Sequence, residues 1–268
     1  MKLVKNTRIW MATLLAWSAS TAAEPAPLQA IQTEEARQGV AVDKAHVYAI
    51  DNRVVAKYDK FTGKRAAVWK ADSERPLAHL NSGIVLDGKL ICANSNYGGH
   101  PMTSSVEFWD TETMAHVDSH SFGVLHGSLT WLDWHEGHWW ACFAHYAGAA
   151  GVPGKGPEHT VVVKFDKAWG QVSSWVLPKN VLVRLAPYSA SGGTWGLDGR
   201  LYISGHDRSE LYVLELPKAG STLRYVKTVA FPNEGQAIAV DRTGSGLFYG
   251  IVRKTRTIVS VPMGKVGK

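Results

Sequence analysis

One phrase occurs five times along this chain: an apolar strand that ends in Asp, a short turn, and a second apolar strand. The copies are GVAVDKAHVYAI (Gly39 to Ile50), GIVLDGKLICA (Gly83 to Ala93), LTWLDWHEGHWWACF (Leu129 to Phe143), TWGLDGRLYIS (Thr194 to Ser204) and IAVDRTGSGLFYGI (Ile238 to Ile251). A hairpin this small cannot bury its own apolar face, so recurring copies must stack and share a core. We interpret the repeated Asp as a structural turn residue that lies outside the functional site.

A second phrase follows the first four copies and completes each unit. It reads VVAKYDKFTGKRAAVW (Val54 to Trp69), SVEFWDTETMAHVDSHSF (Ser105 to Phe122), VVVKFDKAWGQVSSWVL (Val161 to Leu177) and ELYVLELPKAGSTLRYVKTV (Glu210 to Val229). Alternating apolar and polar residues that break at an acidic residue near Gly or Thr are typical of a hairpin. Each unit therefore has four strands, which is the content of one propeller blade.

The fifth unit lacks an outer strand of its own, because Thr257 to Met263 is followed only by a Gly/Lys tail. We expect the segment Leu28 to Glu34 to supply the missing strand. Such pairing would join the two ends of the chain and remove the exposed edge of an open sheet. The predicted fold is all-β: a five-bladed β-propeller with four-stranded blades, closed by the N-terminal strand of the mature chain.

The phrases VYAIDNRVVAKYDKFTGK and VEFWDTETM resemble the strand-turn-strand units of bacterial β-propellers related to the quinoprotein-like and gluconolactonase-like (senescence-marker-type) proteins. The resemblance covers the whole mature chain and is specific to architecture, because such phrases recur in propellers of unrelated function. For the gluconolactonase-like group it implies a divalent metal at the mouth of the central channel, held by acidic and Asn residues. This sequence departs from that pattern, because its corresponding positions are rich in His.

The N-terminus has the features of a secretory signal. Lys2, Lys5 and Arg8 precede an apolar run from Ile9 to Trp17, and the small residues Ser18 to Ala23 follow. This order predicts a signal peptide over residues 1–23 and a single propeller domain over residues 24–268 in the periplasm or outside the cell. An uncleaved membrane anchor is the alternative. No later stretch approaches the roughly 20 apolar residues that a membrane span needs.

The net charge and the distribution of basic residues limit the class of partner. Without residues 1–23 the formal charge falls from +6 to +3, and the basic residues form no cluster with interleaved aromatics. We therefore expect no nucleic-acid partner.

The two cysteines, Cys92 and Cys142, fall on the second strand of neighbouring repeats. Export favours disulfides, but a one-residue slip in strand parity would separate the thiols, so a bridge and two buried free thiols both stay open.

Propeller geometry shows where to look for the site. The loop that enters the inner strand of a blade and the loop between its second and third strands emerge on the same face, where propellers usually present their ligand sites. The loops at the blade entrances carry Glu35, Arg37, Gln38, His79, Asn81, His126, Tyr188, Ser191, Glu234 and Gln236. The second-to-third strand loops carry Asn94, Asn96, Tyr97, His100, His145, Tyr146, His206, Asp207, Arg208 and Arg253.

Three interpretations of these polar residues stay open. Imidazole and carboxylate are ligands for divalent ions, so one metal ion (Zn, Ca or Mg) would be held by His79, His126, His145 and Glu234. In a metal-free site the catalytic residues would be His126, His206, Asp207, Tyr188 and Arg208. In both cases the expected substrate contacts are Arg37, Asn81, Asn96 and Gln236. The third interpretation is a hydrated channel whose polar residues bond one another.

Two functions follow from these interpretations. The first is an exported hydrolase or lyase that acts at the channel mouth on a small polar substrate such as a lactone or a sugar acid. The second is a non-catalytic periplasmic propeller that binds a small-molecule ligand or a partner protein.

Overall fold

The computed structural model describes residues 29–74 and 77–262. The predicted signal peptide over residues 1–23 and the predicted domain start at residue 24 lie outside these residues. Among the helices in the described parts of the chain, none is both long and apolar enough to cross a lipid bilayer.

The described chain folds into five antiparallel four-stranded sheets, and the predicted five-bladed propeller is confirmed. From the channel outward, blade 1 consists of β2 (Gly39–Val42), β3 (His46–Asp51), β4 (Val54–Asp59) and β5 (Arg65–Lys70). Blade 2 consists of β6 (His79–Leu86), β7 (Lys89–Ser95), β8 (Ser104–Asp110) and β9 (His116–Gly123). Blade 3 consists of β10 (Ser128–His135), β11 (His138–Ala144), β12 (Val161–Phe165) and β13 (Gln171–Val176). Blade 4 consists of β14 (Gly192–Trp195), β15 (Leu201–Ser204), β16 (Glu210–Glu215) and β17 (Arg224–Ala230).

Blade 5 is built from both ends of the chain, as the sequence predicts. It consists of β18 (Ala239–Val240), β19 (Leu247–Val252), β20 (Thr257–Pro262) and, outermost, β1 (Gln29–Gln32). Strand β1 pairs antiparallel with β20, in a register that places Gln29 opposite Ser260 and Gln32 opposite Thr257. This pairing closes the ring and protects the edge of β20.

The hydrophobic core is divided among the five interfaces between neighbouring blades. Between blades 3 and 4, for example, Trp131, Trp140 and Trp195 pack together in one buried cluster. Helix α1 (Lys179–Leu185) connects these two blades and buries Val181 and Leu185 against the same cluster. Two short 3-10 turns, Gly148–Ala150 and Pro157–His159, shape the long loop between β11 and β12.

The inner strands come so close that only glycine fits at some positions. A Cβ atom on Gly39 would lie 2.6 Å from the carbonyl oxygen of Asn81 and 2.7 Å from the Cβ of Ala237. Gly39 therefore lets β2 approach its neighbours on both sides, and this close approach keeps the channel of a five-bladed ring narrow.

The two cysteines are free and buried. Burial raises the pKa of both thiols, that of Cys142 to about 12. Because the thiolate is the nucleophile, these side chains act as small apolar core residues and carry no chemistry.

Candidate functional site

On the face where the inner strands begin, the channel widens into a cavity of about 110 Å³, which we call the channel mouth. Every blade contributes to it, either from the entrance of its inner strand or from the loop between its second and third strands. The residues that line it are Gln38, His79, Asn81, Tyr97, Tyr146, Tyr188, Ser191, His206 and Gln236. The structure thus brings together five of the residues predicted for the site: His79, Asn81, Tyr188, His206 and Gln236.

Stacked aromatic pairs form two walls of the channel mouth. The ring of Tyr97 stacks on His79 with centroids 5.0 Å apart, and the ring of Tyr188 stacks on His206 at 3.9 Å. Tyr146 meets Tyr97 edge to face at 5.1 Å. Such pairs hold flat, partly apolar rings in fixed orientations, with hydroxyl and imidazole groups available at their edges.

Among the described residues that line the channel mouth, only the two histidines can gain a positive charge, and burial favours the neutral form of both. Burial lowers the pKa of His79 to about 4. The pKa of His206 is lowered by burial and by the Arg253 guanidinium, against the opposing effect of Asp207. Desolvation penalises the charged form of an imidazole, so the lining is uncharged at neutral pH.

Asn81 presents a polar atom that is not satisfied within the described parts of the chain. Its side chain is 3% exposed, and its Oδ1 accepts no hydrogen bond from any described residue. Strand β6 has a bulge between Leu80 and Gly83, next to this residue. Bulges often redirect side chains beside functional sites, and a buried acceptor without a donor costs about 1–3 kcal/mol.

His206 is the lining residue with the most extensive set of polar contacts. Its Nδ1 lies 2.6 Å from Oδ1 of Asp207, while Nη1 of Arg253 lies 3.5 Å from its Nε2. Arg253 also donates from Nη2 to the carbonyl oxygen of His206 at 3.2 Å and to Oδ1 of Asp207 at 2.8 Å. These contacts fit a neutral imidazole that donates from Nδ1 and accepts at Nε2.

The four predicted metal ligands do not converge at one point. His79 lines the channel mouth, whereas Nε2 of His145 donates to the carbonyl oxygen of His126 at 3.1 Å and the ring of His126 packs on Phe143. Glu234 is paired with Lys254 at 3.2 Å. Across residues 29–74 and 77–262, no three His, Cys, Asp or Glu side chains converge as a metal site requires. The predicted set does not fit a divalent ion, so we derive no chemistry from one.

The remaining predicted residues surround the channel mouth or shape its loops. Arg37 and Asp207 line a neighbouring cavity with Glu234, while Arg208 lies in a third cavity beside Tyr188. Asn96 holds its own loop, since its Oδ1 accepts from the backbone N–H of Thr103 at 2.7 Å. The structure therefore does not place Arg37, Asn96, Glu234 or Arg208 in the lining of the channel mouth.

Four residues of the lining were not selected from the sequence as site residues: Gln38, Tyr97, Tyr146 and Ser191. All four stand in the loops that propeller geometry indicates. Nothing in the local sequence separates them from loop residues that do not reach the channel, because the direction of each side chain depends on the folded loop.

A larger cavity of about 450 Å³ opens at the opposite end of the channel, where the inner strands end. Arg242 lines this cavity, and its guanidinium group is paired within the protein. Its Nη1 and Nη2 donate to the two carboxylate oxygens of Asp133 at 2.8 and 2.6 Å. Nη2 also donates to the carbonyl oxygen of Trp195 at 2.7 Å. This ion pair links blades 3, 4 and 5 across the channel and is structural.

Comparison with solved structures shows the fold alone. The chain is similar to the glutaminyl cyclase of Myxococcus xanthus, with a TM-score of 0.56 and 9% identity over 88% of this chain and 94% of that one. A chain of the Kuenenia stuttgartiensis hydrazine synthase has a TM-score of 0.49 and 11% identity over 84% of this chain and 83% of that one. No protein-family model and no functionally curated protein matches the sequence. What is shown is a β-propeller, and membership of the quinoprotein-like or gluconolactonase-like type stays a prediction.

Proposed function

We propose that this protein binds a small, uncharged polar molecule at the channel mouth. The observation that carries the proposal is the uncharged lining of stacked aromatic rings and amides, which contains the buried, unsatisfied Oδ1 of Asn81. Concave sites with flat apolar surfaces and a few fixed polar groups are typical of small-molecule binding. Export to the periplasm or beyond stays a prediction from the N-terminal sequence.

The side chains that line the channel mouth indicate which chemical groups the ligand carries. Oδ1 of Asn81 requires a donor, so the ligand carries an O–H or N–H group that reaches into the channel. His79 covers one face of Tyr97 and His206 covers one face of Tyr188, so a ring-shaped molecule would pack against the remaining face or the edge of each tyrosine. A hydroxylated lactone or a sugar ring has both features.

Replacing Asn81 with Ala tests this proposal. The variant should bind a ring-shaped polyol or lactone about 10- to 100-fold more weakly, because a hydrogen bond to a buried acceptor is lost. Isothermal titration with glucose and with glucono-1,5-lactone measures the change.

Asn180→Ala is the matched control, since Asn180 is exposed on α1 and does not line the channel mouth. It should leave the dissociation constant unchanged. If the Asn81 variant binds as tightly as the parent, or if neither probe binds the parent at millimolar concentration, the proposal is wrong for this class of ligand.

A hydrolase or lyase is the second candidate, and one observation favours it: Nδ1 of His206 lies 2.6 Å from Oδ1 of Asp207, with the Tyr188 ring stacked alongside. A carboxylate at Nδ1 orients an imidazole and stabilises the protonated form that a general base produces. In this candidate Nε2 takes a proton from water or from the substrate. Nη1 of Arg253 must then move away from Nε2, because the protonated Nε2 becomes a hydrogen-bond donor and a guanidinium group cannot accept.

His206→Gln separates turnover from binding. If the enzyme hypothesis holds, this variant should lose about 10²- to 10⁴-fold in turnover, the usual contribution of a general base. Lactone hydrolysis and cyclisation of a peptide with N-terminal glutamine are the two assays, the second because one protein of similar fold is a glutaminyl cyclase. Turnover that is equal in parent and variant would exclude His206 as the base.

A further inference from the structure

A second cavity of about 400 Å³ opens on the same face as the channel mouth, and all six residues that line it are charged. Four are cations and two are carboxylates, and we call this cavity the arginine groove. Its lining consists of Arg37, Asp207, Glu234, Arg253, Lys254 and Arg256.

The carboxylates around the arginine groove do not balance its cations. Asp51 lies 3.4 Å from Nε of Arg37 and 3.7 Å from Nη1 of Arg256, so one carboxylate serves two guanidinium groups. The other two pairs are Asp207 with Arg253 and Glu234 with Lys254. Four cations therefore meet three carboxylates, which leaves one positive charge.

Two guanidinium nitrogens in the arginine groove have no hydrogen-bond partner among the described residues. They are Nε of Arg253 and Nη1 of Arg256; both atoms are buried, and Nη1 of Arg256 has only the longer 3.7 Å ion pair with Asp51. Arg37 is 47% exposed, so its guanidinium group is accessible from solvent. Arginine side chains with unused donors around a cavity match the planar oxygens of carboxylate and phosphate groups.

The arginine groove and the channel mouth share a wall. His206 lines the mouth, its neighbour Asp207 lines the groove, and Arg253 contacts both residues. On the other side, Gln38 lines the mouth and the adjacent Arg37 lines the groove. A molecule held in the mouth therefore needs only a short substituent to reach the guanidinium groups.

The closure of the ring holds the groove in place. The carbonyl oxygen of Arg256 accepts hydrogen bonds from the backbone N–H and from Oγ1 of Thr33, both at 2.9 Å. Thr33 directly follows β1, the N-terminal strand of blade 5. The groove thus exists only where the two ends of the chain meet, between blades 5 and 1.

We propose that the arginine groove binds the oxyanion group, carboxylate or phosphate, of the same ligand whose uncharged ring occupies the channel mouth. This inference rests on the proposed function and narrows its ligand to a small polar ring that carries an anionic substituent. Hydrogen bonds to a charged partner contribute more than neutral ones, so the anionic ligand should bind about 10- to 100-fold more tightly than its neutral counterpart.

Three probes that share one ring test the inference by calorimetry: glucose, glucuronate and glucose 6-phosphate. Glucuronate or glucose 6-phosphate should bind about tenfold or more tightly than glucose at low salt, and added salt should reduce the difference. The comparison of the two anions separates the carboxylate from the phosphate. Arg37→Gln and Arg256→Gln should each abolish most of the difference.

Arg53→Gln is the control, because Arg53 is exposed in the loop between β3 and β4, on the same face, and lines neither the arginine groove nor the channel mouth. It removes the same charge and should preserve the preference for anions. Arg37 is half exposed, so Arg37→Gln keeps the test valid if Arg256→Gln does not fold.

The failures of the two proposals are distinguishable. If all three probes bind equally and Asn81→Ala weakens all of them, the arginine groove plays no part while the channel-mouth site stands. If the anions bind through Arg37 and Arg256 but Asn81→Ala has no effect, the channel-mouth proposal fails and the two sites are not joined. A loss of anion preference in Arg53→Gln as large as in Arg37→Gln would show a general charge effect and overturn the assignment.

Discussion

Asp133→Asn is expected to lower the free energy of unfolding by about 1.5–3 kcal/mol, because the buried carboxylate accepts charge-assisted hydrogen bonds that an amide cannot fully replace. The Asp133 side chain is fully buried, and its two oxygens accept from both terminal nitrogens of Arg242. They also accept from the backbone N–H groups of Trp134 and Trp195 and from Oγ1 of Thr194. Among the contacts shown by the described residues, Asp133 is the only side chain of blade 3 that bonds to Arg242.

The loss comes from the hydrogen-bond donors that remain around residue 133, among them the guanidinium group of Arg242. Burial disfavours the charged form of Arg242, but the attraction and hydrogen bonds of Asp133 outweigh it and raise the pKa of Arg242. When the carboxylate becomes an amide, the Arg242 guanidinium, whose side chain is 34% exposed, loses its charged partner, and the amide nitrogen cannot accept from the donors that face this buried position. Because the pair connects blade 3 to blades 4 and 5, the loss should lower the stability of the whole ring.

Equilibrium unfolding in urea, followed by tryptophan fluorescence, measures the effect. Asp87→Asn is the matched control, because Asp87 occupies the same position of the repeated phrase in blade 2 but is exposed. Its φ of 49° is one that Asn adopts readily, so the control should lose less than about 1 kcal/mol. Equal losses in the two variants would contradict the structural role assigned to the Asp133–Arg242 pair.

The second large effect is a loss of stability in mild acid that depends on His79. The folded protein holds the pKa of His79 at about 4, below the 6.5 of a free imidazole, because the side chain is buried beside Tyr97. Protonation therefore favours the unfolded chain. Above pH 6.5 the neutral His79 costs the folded protein no stability. As the pH falls from 6.5 toward 4, the free energy of unfolding decreases, because the unfolded chain binds a proton at His79 that the folded protein does not.

Each pH unit in this window costs about 1.4 kcal/mol for one proton, so His79 should account for about 3 kcal/mol between pH 6.5 and pH 4. His79→Gln removes the titrating group, and its free energy of unfolding should fall less steeply with acid by this amount. Urea unfolding at a series of pH values measures the two slopes. His159→Gln, at an imidazole whose side chain is 44% exposed, controls for the substitution itself. If parent and His79→Gln lose stability in parallel, the buried neutral imidazole is not the cause.

Most of the fold could be read from the sequence, because the signals that specify a blade are local. Alternation of apolar and polar residues sets the strands, and Asp, Gly and Thr set the turns. Even the long-range pairing of β1 with β20 could be predicted, since blade 5 lacked one strand and a suitable segment preceded blade 1. The state of Cys92 and Cys142 could not, because it depends on strand parity across a blade interface.

The sequence was enough to locate the candidate site, but not to predict which side chains line it. The predicted loops do line the channel mouth, yet His126 packs its ring on Phe143 and His145 bonds the carbonyl oxygen of His126. The direction of a side chain at the end of a loop depends on the loop conformation and on neighbouring blades, which no local pattern records. The same holds for the repeated Asp: one phrase produced the exposed Asp87 and the buried Asp133.

By itself the sequence determined the class of fold, the number of blades and the face that carries the polar loops, because these follow from periodicity and repetition along the chain. Only the tertiary structure decided which side chains share a cavity: the uncharged mouth around Asn81, the arginine groove at the seam of blades 5 and 1, and the Asp133–Arg242 pair. Each of these joins residues far apart in the chain. Their distances, burial and charge balance exist only after the ring has closed.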